Sequence, residues 1–256
     1  MPQILTRPDG TKLVYEQVIA QKNTTKTTAN PTLIFCGGFA SDMQGSKALA
    51  VCNYAQQNGL GAIRFDYFAH GGSVGDFADG SIGRWLDDTL AIIDEVCQGP
   101  FILIGSSMGG WIATLAARAR PERLAGLLLL AAAPDFTRRL MWAQMPPEMQ
   151  TTLMEQGFVE QPNDYSDEPY KIYKKLIVEA DAHMVLDQEI AISCPVRLIH
   201  GMKDTDVPWQ LAHELIDLTT STDVEMTLVK EGDHRLSTDA DLARLRKTLG
   251  ELVTLA

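Results

Sequence analysis

Ser107 stands within Gly105-Ser106-Ser107-Met108-Gly109-Gly110, directly after the apolar run Phe101–Ile104 and directly before Trp111-Ile112-Ala113. The pattern glycine-x-serine-x-glycine fits in one register, Gly105, Ser107 and Gly109, because Ile104 stands where Ser106 would need a glycine. A serine on a tight strand-to-helix turn needs small neighbours, since larger side chains would collide with the adjoining strand and helix. Its hydroxyl becomes a nucleophile only when a base takes the proton and an acid orients that base.

Five histidines compete for the role of base. His234, in Glu231-Gly232-Asp233-His234-Arg235, follows the last expected strand and precedes the last helix, where a loop can carry an imidazole over the strand ends. It also falls in the order serine, acid, histidine. His70 reads as a loop-fixing residue, His183 and His213 as helical, and His200 as the close of a strand. Three aspartates follow strands. Asp204, in His200-Gly201-Met202-Lys203-Asp204-Thr205-Asp206-Val207-Pro208, is the choice for the acid. Asp206 could instead cap the helix starting at Pro208, and Asp135 lies one strand earlier. The oxyanion formed by serine attack needs fixed donors. The backbone N–H of Met108 is expected to be one, and that of Phe39, in Gly37-Gly38-Phe39, the other.

The elements must bring these residues together. Strand-like and helix-like stretches alternate, which predicts an α/β fold: a mostly parallel twisted sheet covered by helices on both faces. Buried strands are expected at Thr32–Cys36, Gly61–Phe65, Phe101–Gly105, Gly126–Ala132, Val196–His200 and Val224–Val229. Helices are expected near 45–58, 81–97, 108–120, 208–219 and 239–254. Leu13–Val18, after the Asp9-Gly10 turn, suggests an antiparallel hairpin at one edge, and 21–31 a polar loop. About sixty residues separate the strand ending near Ala133 from that starting near Pro195, far more than a simple connection needs. Residues 136–192 are therefore expected to form a helical cap on one single domain spanning 1–256. Met141, Trp142 and Met145 are its expected substrate contacts, with Met149, Met154, Phe158, Tyr165, Tyr170 and Tyr173 adding apolar surface.

The whole chain narrows the classes of function. With 256 residues and 45% hydrophobic content it can bury one large core. A net charge of −11 leaves no concentrated basic surface, which speaks against nucleic acid as a partner. Cys36, Cys52, Cys97 and Cys194 are scattered singly, so neither a zinc site nor a disulfide framework is expected. They read as small core residues, and the chemistry outlined above calls for no cofactor or metal. The N-terminus lacks a basic region followed by an apolar stretch, and no run of about 18 apolar residues occurs, so a cytoplasmic chain without a membrane span is expected. Oligomeric state is left open.

Several motifs together resemble the α/β-hydrolase fold superfamily, and within it the abhydrolase-domain branch of palmitoyl-protein thioesterase and acyl-glucuronide esterase type. They are Gly45-Ser46-Lys47-Ala48-Leu49-Ala50, Ile63-Arg64-Phe65-Asp66-Tyr67, Gly105–Trp111, His200-Gly201-Met202-Lys203-Asp204 with Val207-Pro208-Trp209, and Asp233-His234-Arg235. The resemblance runs from about Thr32 to the C-terminus. It implies Ser107 as nucleophile, Asp204 as acid, His234 as base, and hydrolysis of acyl esters or thioesters through an acyl-enzyme. It departs at the N-terminus, where no targeting segment of a mitochondrial member precedes the first strand. Two other readings share the residues: carbon–carbon bond hydrolysis or perhydrolysis by the same triad, and a non-enzymatic ligand-binding homologue.

Overall fold

In the computed structural model the described residues are 1–21, 30–161 and 169–256. The polar loop expected at 21–31 falls almost wholly outside them, as does Tyr165. Eight strands form one sheet: β1 (Gln3–Thr6), β2 (Lys12–Val18), β3 (Thr32–Cys36), β4 (Ala62–Phe65), β5 (Phe101–Ser106), β6 (Leu124–Leu130), β9 (Val196–Gly201) and β10 (Val224–Val229). Their spatial order is β1-β2-β4-β3-β5-β6-β9-β10. The hairpin β1–β2 joins β4 antiparallel, and every pairing from β4 to β10 is parallel.

Side chains that alternate along the central strands build two cores. Leu33 and Phe35 of β3, with Ile102 and Ile104 of β5, pack under α1 (Ser46–Gln57) and α7 (Asp239–Leu255). Ile34 and Cys36, with Phe101 and Leu103, face α2 (Ile82–Ala91), α3 (Met108–Ala119) and α6 (Trp209–Leu218). Nearly continuous apolar strands buried on both faces are what a parallel sheet requires. All four cysteines are buried and unpaired.

Three elements differ from the sequence expectation. The helix expected over 81–97 stops at Ala91 and continues as a π-helical turn, Ile92–Val96. The strand expected to reach Ala132 ends at Leu130: the Ala131 amide still donates to Ile199 of β9 at 2.8 Å, but Ala131 turns to φ 44° and the strand goes no further. The cap is not helical throughout. A π-helical turn (Thr137–Trp142), α4 (Pro147–Gln156) and α5 (Lys174–Ala180) enclose an antiparallel hairpin of β7 (Phe158–Gln161) and β8 (Tyr170–Tyr173). Val159 pairs with Ile172, both buried, while Phe158 pairs with Tyr173, so the segment follows a period of two rather than 3.6.

Asp135 roots the cap in the main body. It is fully buried at φ 54°, and its carboxylate accepts the amides of Val185 and Leu186, both at 2.9 Å, where the segment returns. Burial raises its carboxyl above the ordinary range against those two hydrogen bonds. The Trp111 indole adds a second root by donating to the carbonyl of His183 at 2.9 Å.

Candidate active site

The turn from β5 into α3 is as tight as the glycines suggest. A Cβ on Gly109 would lie 2.1 Å from the carbonyl oxygen of Cys36, and one on Gly105 2.4 Å from that of Gly109. Both contacts are with backbone, which cannot step aside. Ser107 caps α3 at φ 55°, ψ −122°, a conformation that costs a residue bearing a Cβ about 1–3 kcal/mol. The surroundings hold it there. Its amide donates to Leu130 at 3.0 Å, and its carbonyl accepts from Gly110 at 2.8 Å and Ala133 at 3.1 Å.

His234 lies on the loop between β10 and α7. Its Nε2 is 2.9 Å from Ser107 Oγ and its Nδ1 2.8 Å from Asp204 Oδ2. Since the carboxylate can only accept, Nδ1 carries the proton and Nε2 is free to accept from the serine hydroxyl. Gly201 and Gly232 make this approach possible, because a Cβ on Gly201 would stand 2.3 Å from the Gly232 carbonyl. Asp204 follows β9 and is fixed on both oxygens. Oδ1 accepts the amides of Asp206 at 2.9 Å and Val207 at 2.8 Å. Burial disfavours its charge, but hydrogen bonds from His200 and His234, the nearby His234 ring and the Val207 amide together hold the carboxyl well below the usual carboxylate range. An ionised Asp204 is what keeps His234 in this tautomer.

Asp135 binds the cap, as described above, and the side chain of Asp206 does not cap α6, whose first turn has no side-chain cap. Asp206 instead lines the cavity above Ser107. Asp204, Asp206 and His234 bring ligand-type atoms within 4.8 Å of one another. Both oxygens of Asp204 and both nitrogens of His234 are already engaged, an arrangement suited to moving a proton.

The sequence presents His200 as the close of a strand. Its Nε2 lies 3.0 Å from the Val207 carbonyl and 3.2 Å from the same Asp204 Oδ2 that His234 uses. Its position four residues before Asp204, one residue before Gly201, was the available signal. His70 does fix a loop. Nδ1 donates to the Phe68 carbonyl at 3.0 Å, and Nε2 accepts the Ala40 amide at 3.2 Å. Burial lowers the ring below the ordinary histidine range, against the hydrogen bond to Phe68. The same loop is anchored by Arg64, which donates to the Met43 carbonyl at 2.8 Å, and by Asp66, which accepts the Met43 amide at 2.7 Å. Gly38 thereby passes Ser107 closely, a Cβ there falling 3.5 Å from that of Ser107.

A cavity of about 750 Å³ opens over Ser107, walled by Phe39, Met108, Phe136, Leu140, Met141 and Tyr170 among others. The Phe39 ring meets Phe77, Phe136 and the cap residue Tyr170 at centroid distances of 5.2, 6.0 and 5.8 Å. Of the three cap residues expected to meet substrate, Met141 lines the cavity. Trp142 and Met145 do not. They pack in the cap's own small core with Leu153, Val159, Ile172 and Ile177, where the hairpin buries Val159 and Ile172 against the cap helices.

The family model described as serine aminopeptidase, S33 (Hydrolase_4) matches residues 27–167. Human mitochondrial palmitoyl-protein thioesterase ABHD10 is 38% identical over 250 residues, covering 97% of this chain and 79% of its own. Among solved structures, mouse α/β hydrolase domain-containing protein 10 superposes with a TM-score of 0.89 at 38% identity, covering 99% of this chain and 98% of its own. A hydrolase-type chain from Agrobacterium vitis S4 gives 0.93 at 37% identity, with coverage of 99% and 98%. Likeness at this level along nearly the whole chain, together with the family match over more than half of it, makes this chain a member of the α/β-hydrolase family and a serine hydrolase.

Proposed function

We propose that the chain hydrolyses acyl esters and thioesters through an acyl-enzyme on Ser107. The observation that carries this reading is the hydrogen-bonded series Ser107–His234–Asp204, at 2.9 and 2.8 Å, opening into a cavity lined in part by apolar side chains. His234 takes the hydroxyl proton as Ser107 Oγ bonds to the acyl carbon, and the amides of Phe39 and Met108 receive the oxyanion. The tetrahedral intermediate collapses as the imidazolium protonates the departing thiol or alcohol. Water, deprotonated by His234, then releases the acid and regenerates Ser107.

A fatty acyl chain suits the apolar part of the cavity, formed by Phe39, Met108, Phe136, Leu140, Met141 and Ile172, beside which Asp42, Lys47, Gln144, Gln161, Asp206 and Arg235 supply polar and charged groups. The relatives named palmitoyl-protein thioesterase point to the same substrate class. The test is turnover of a palmitoyl thioester beside p-nitrophenyl esters, with fluorophosphonate labelling. Ser107→Ala should abolish labelling and lower turnover by about 10⁴-fold or more. Labelling that survives in this variant places the nucleophile elsewhere.

A further inference from the structure

Lys47 belongs to a motif, Gly45–Ala50, to which the chemistry above gives no role. It is the second residue of α1, and its ammonium donates a hydrogen bond to the backbone carbonyl of Arg235, 188 positions away. Arg235 directly follows His234, so the bond reaches the loop that carries the imidazole. Lys47 also lines the same cavity as Ser107 and His234. The loop is also tied by the Leu236 amide, which donates to Asp233 Oδ1 at 3.0 Å, by the Lys203 backbone amide, which donates to the Gly232 carbonyl at 2.9 Å, and by His234 itself on Ser107. Lys47 reaches it from α1.

We propose that Lys47 is a positioning residue, whose charged ammonium holds the Arg235 carbonyl and thereby keeps His234 aligned on Ser107. This rests on the reading of His234 as the base. A charge-assisted hydrogen bond to a carbonyl is stronger than a neutral one, so the alignment weakens when the ammonium loses its proton. Desolvation draws Lys47 down to about 8; Asp233 on the loop, Asp241 on α7 and Asp204 after β9 pull it upward, and Arg235 pushes it down. The ammonium is therefore present below about pH 8 and lost above it. Activity should therefore fall on the alkaline side of about pH 8.

The experiment compares kcat and KM for p-nitrophenyl butyrate in the native enzyme, Lys47→Arg and Lys47→Gln, from about pH 6 to 9.5. Melting temperatures and Ser107→Ala serve as controls. The native enzyme should decline around pH 8. Lys47→Arg, charged throughout, should lose that decline and stay within about threefold of native kcat at pH 7. Lys47→Gln should lose about tenfold in kcat with KM changed by less than about twofold, and should also show no alkaline decline. A decline near pH 8 that persists in either variant, or a Lys47→Gln enzyme with native kcat, overturns the proposal. So does a loss confined to KM, which would make Lys47 a substrate contact. Should Ser107→Ala keep its turnover, the reading of the site fails instead, independently of Lys47.

Discussion

At the scale of single residues, the site depends on which carboxylate faces the imidazole. Asp204 accepts from His234, His200 and two backbone amides, whereas Asp206 contributes its own amide to that cradle. Asp204→Asn, presenting an amide where the imidazole needs an acceptor, should lower kcat by about 10⁴-fold through the wrong tautomer. Asp206→Asn should cost less than about tenfold, because its backbone donor is unchanged. Steady-state rates of the two variants on one ester check the assignment, and a larger loss in Asp206→Asn would reverse it. The serine and the histidine could be read from chain order and flanking glycines. The second histidine on Asp204 could not, because a hydrogen bond to an orienting acid leaves no periodic trace.

At the scale of elements, some cap residues line the cavity, others only pack on one another, and Met141, Tyr170 and Ile172 do both. Met141→Ala should change the preference among acyl lengths, each lost methylene contact being worth about 1 kcal/mol, and leave acetyl ester turnover nearly unchanged. Met145 is 6% exposed and packs on Leu153, Val159 and Ile172. Met145→Ala should cost about 2–5 kcal/mol of stability, seen as a lower melting temperature or local unfolding of the cap, without a change in acyl preference. Comparing acetyl through decanoyl esters for both variants separates the roles. Asp135→Ala should be more damaging to the cap as a whole, since it strands the amides of Val185 and Leu186 at about 1–3 kcal/mol each. Protease nicking confined to residues 136–192 would report the loosened attachment. The central strands β3, β5 and β6 were legible because each is a largely apolar run of five to seven residues bounded by turns. The cap hairpin was not, because two strands of four residues carry too short an alternation to outweigh neighbouring helical signals.

At the scale of the whole molecule, two cores on either side of one sheet bury all four cysteines. Desolvation pushes Cys36 up to about 12, and Cys52 and Cys194 to about 11, so thiolate is scarce at neutral pH. Native protein should react with a thiol reagent such as dithionitrobenzoate only slowly, and all 4 thiols should titrate after unfolding in urea. Rapid modification of a thiol in the native state would contradict this packing. The amino-acid sequence by itself determined the alternation of buried strands and helices and the order of serine, acid and histidine, because periodicity and glycine placement are local properties. Only the tertiary structure decided that Lys47 meets Arg235 across 188 positions, that Met145 turns away from the cavity and Met141 toward it, and that Asp204 carries two histidines. These are contacts between elements distant in the chain, and such contacts are set by how the faces of the fold close on one another, which no local pattern of residues encodes.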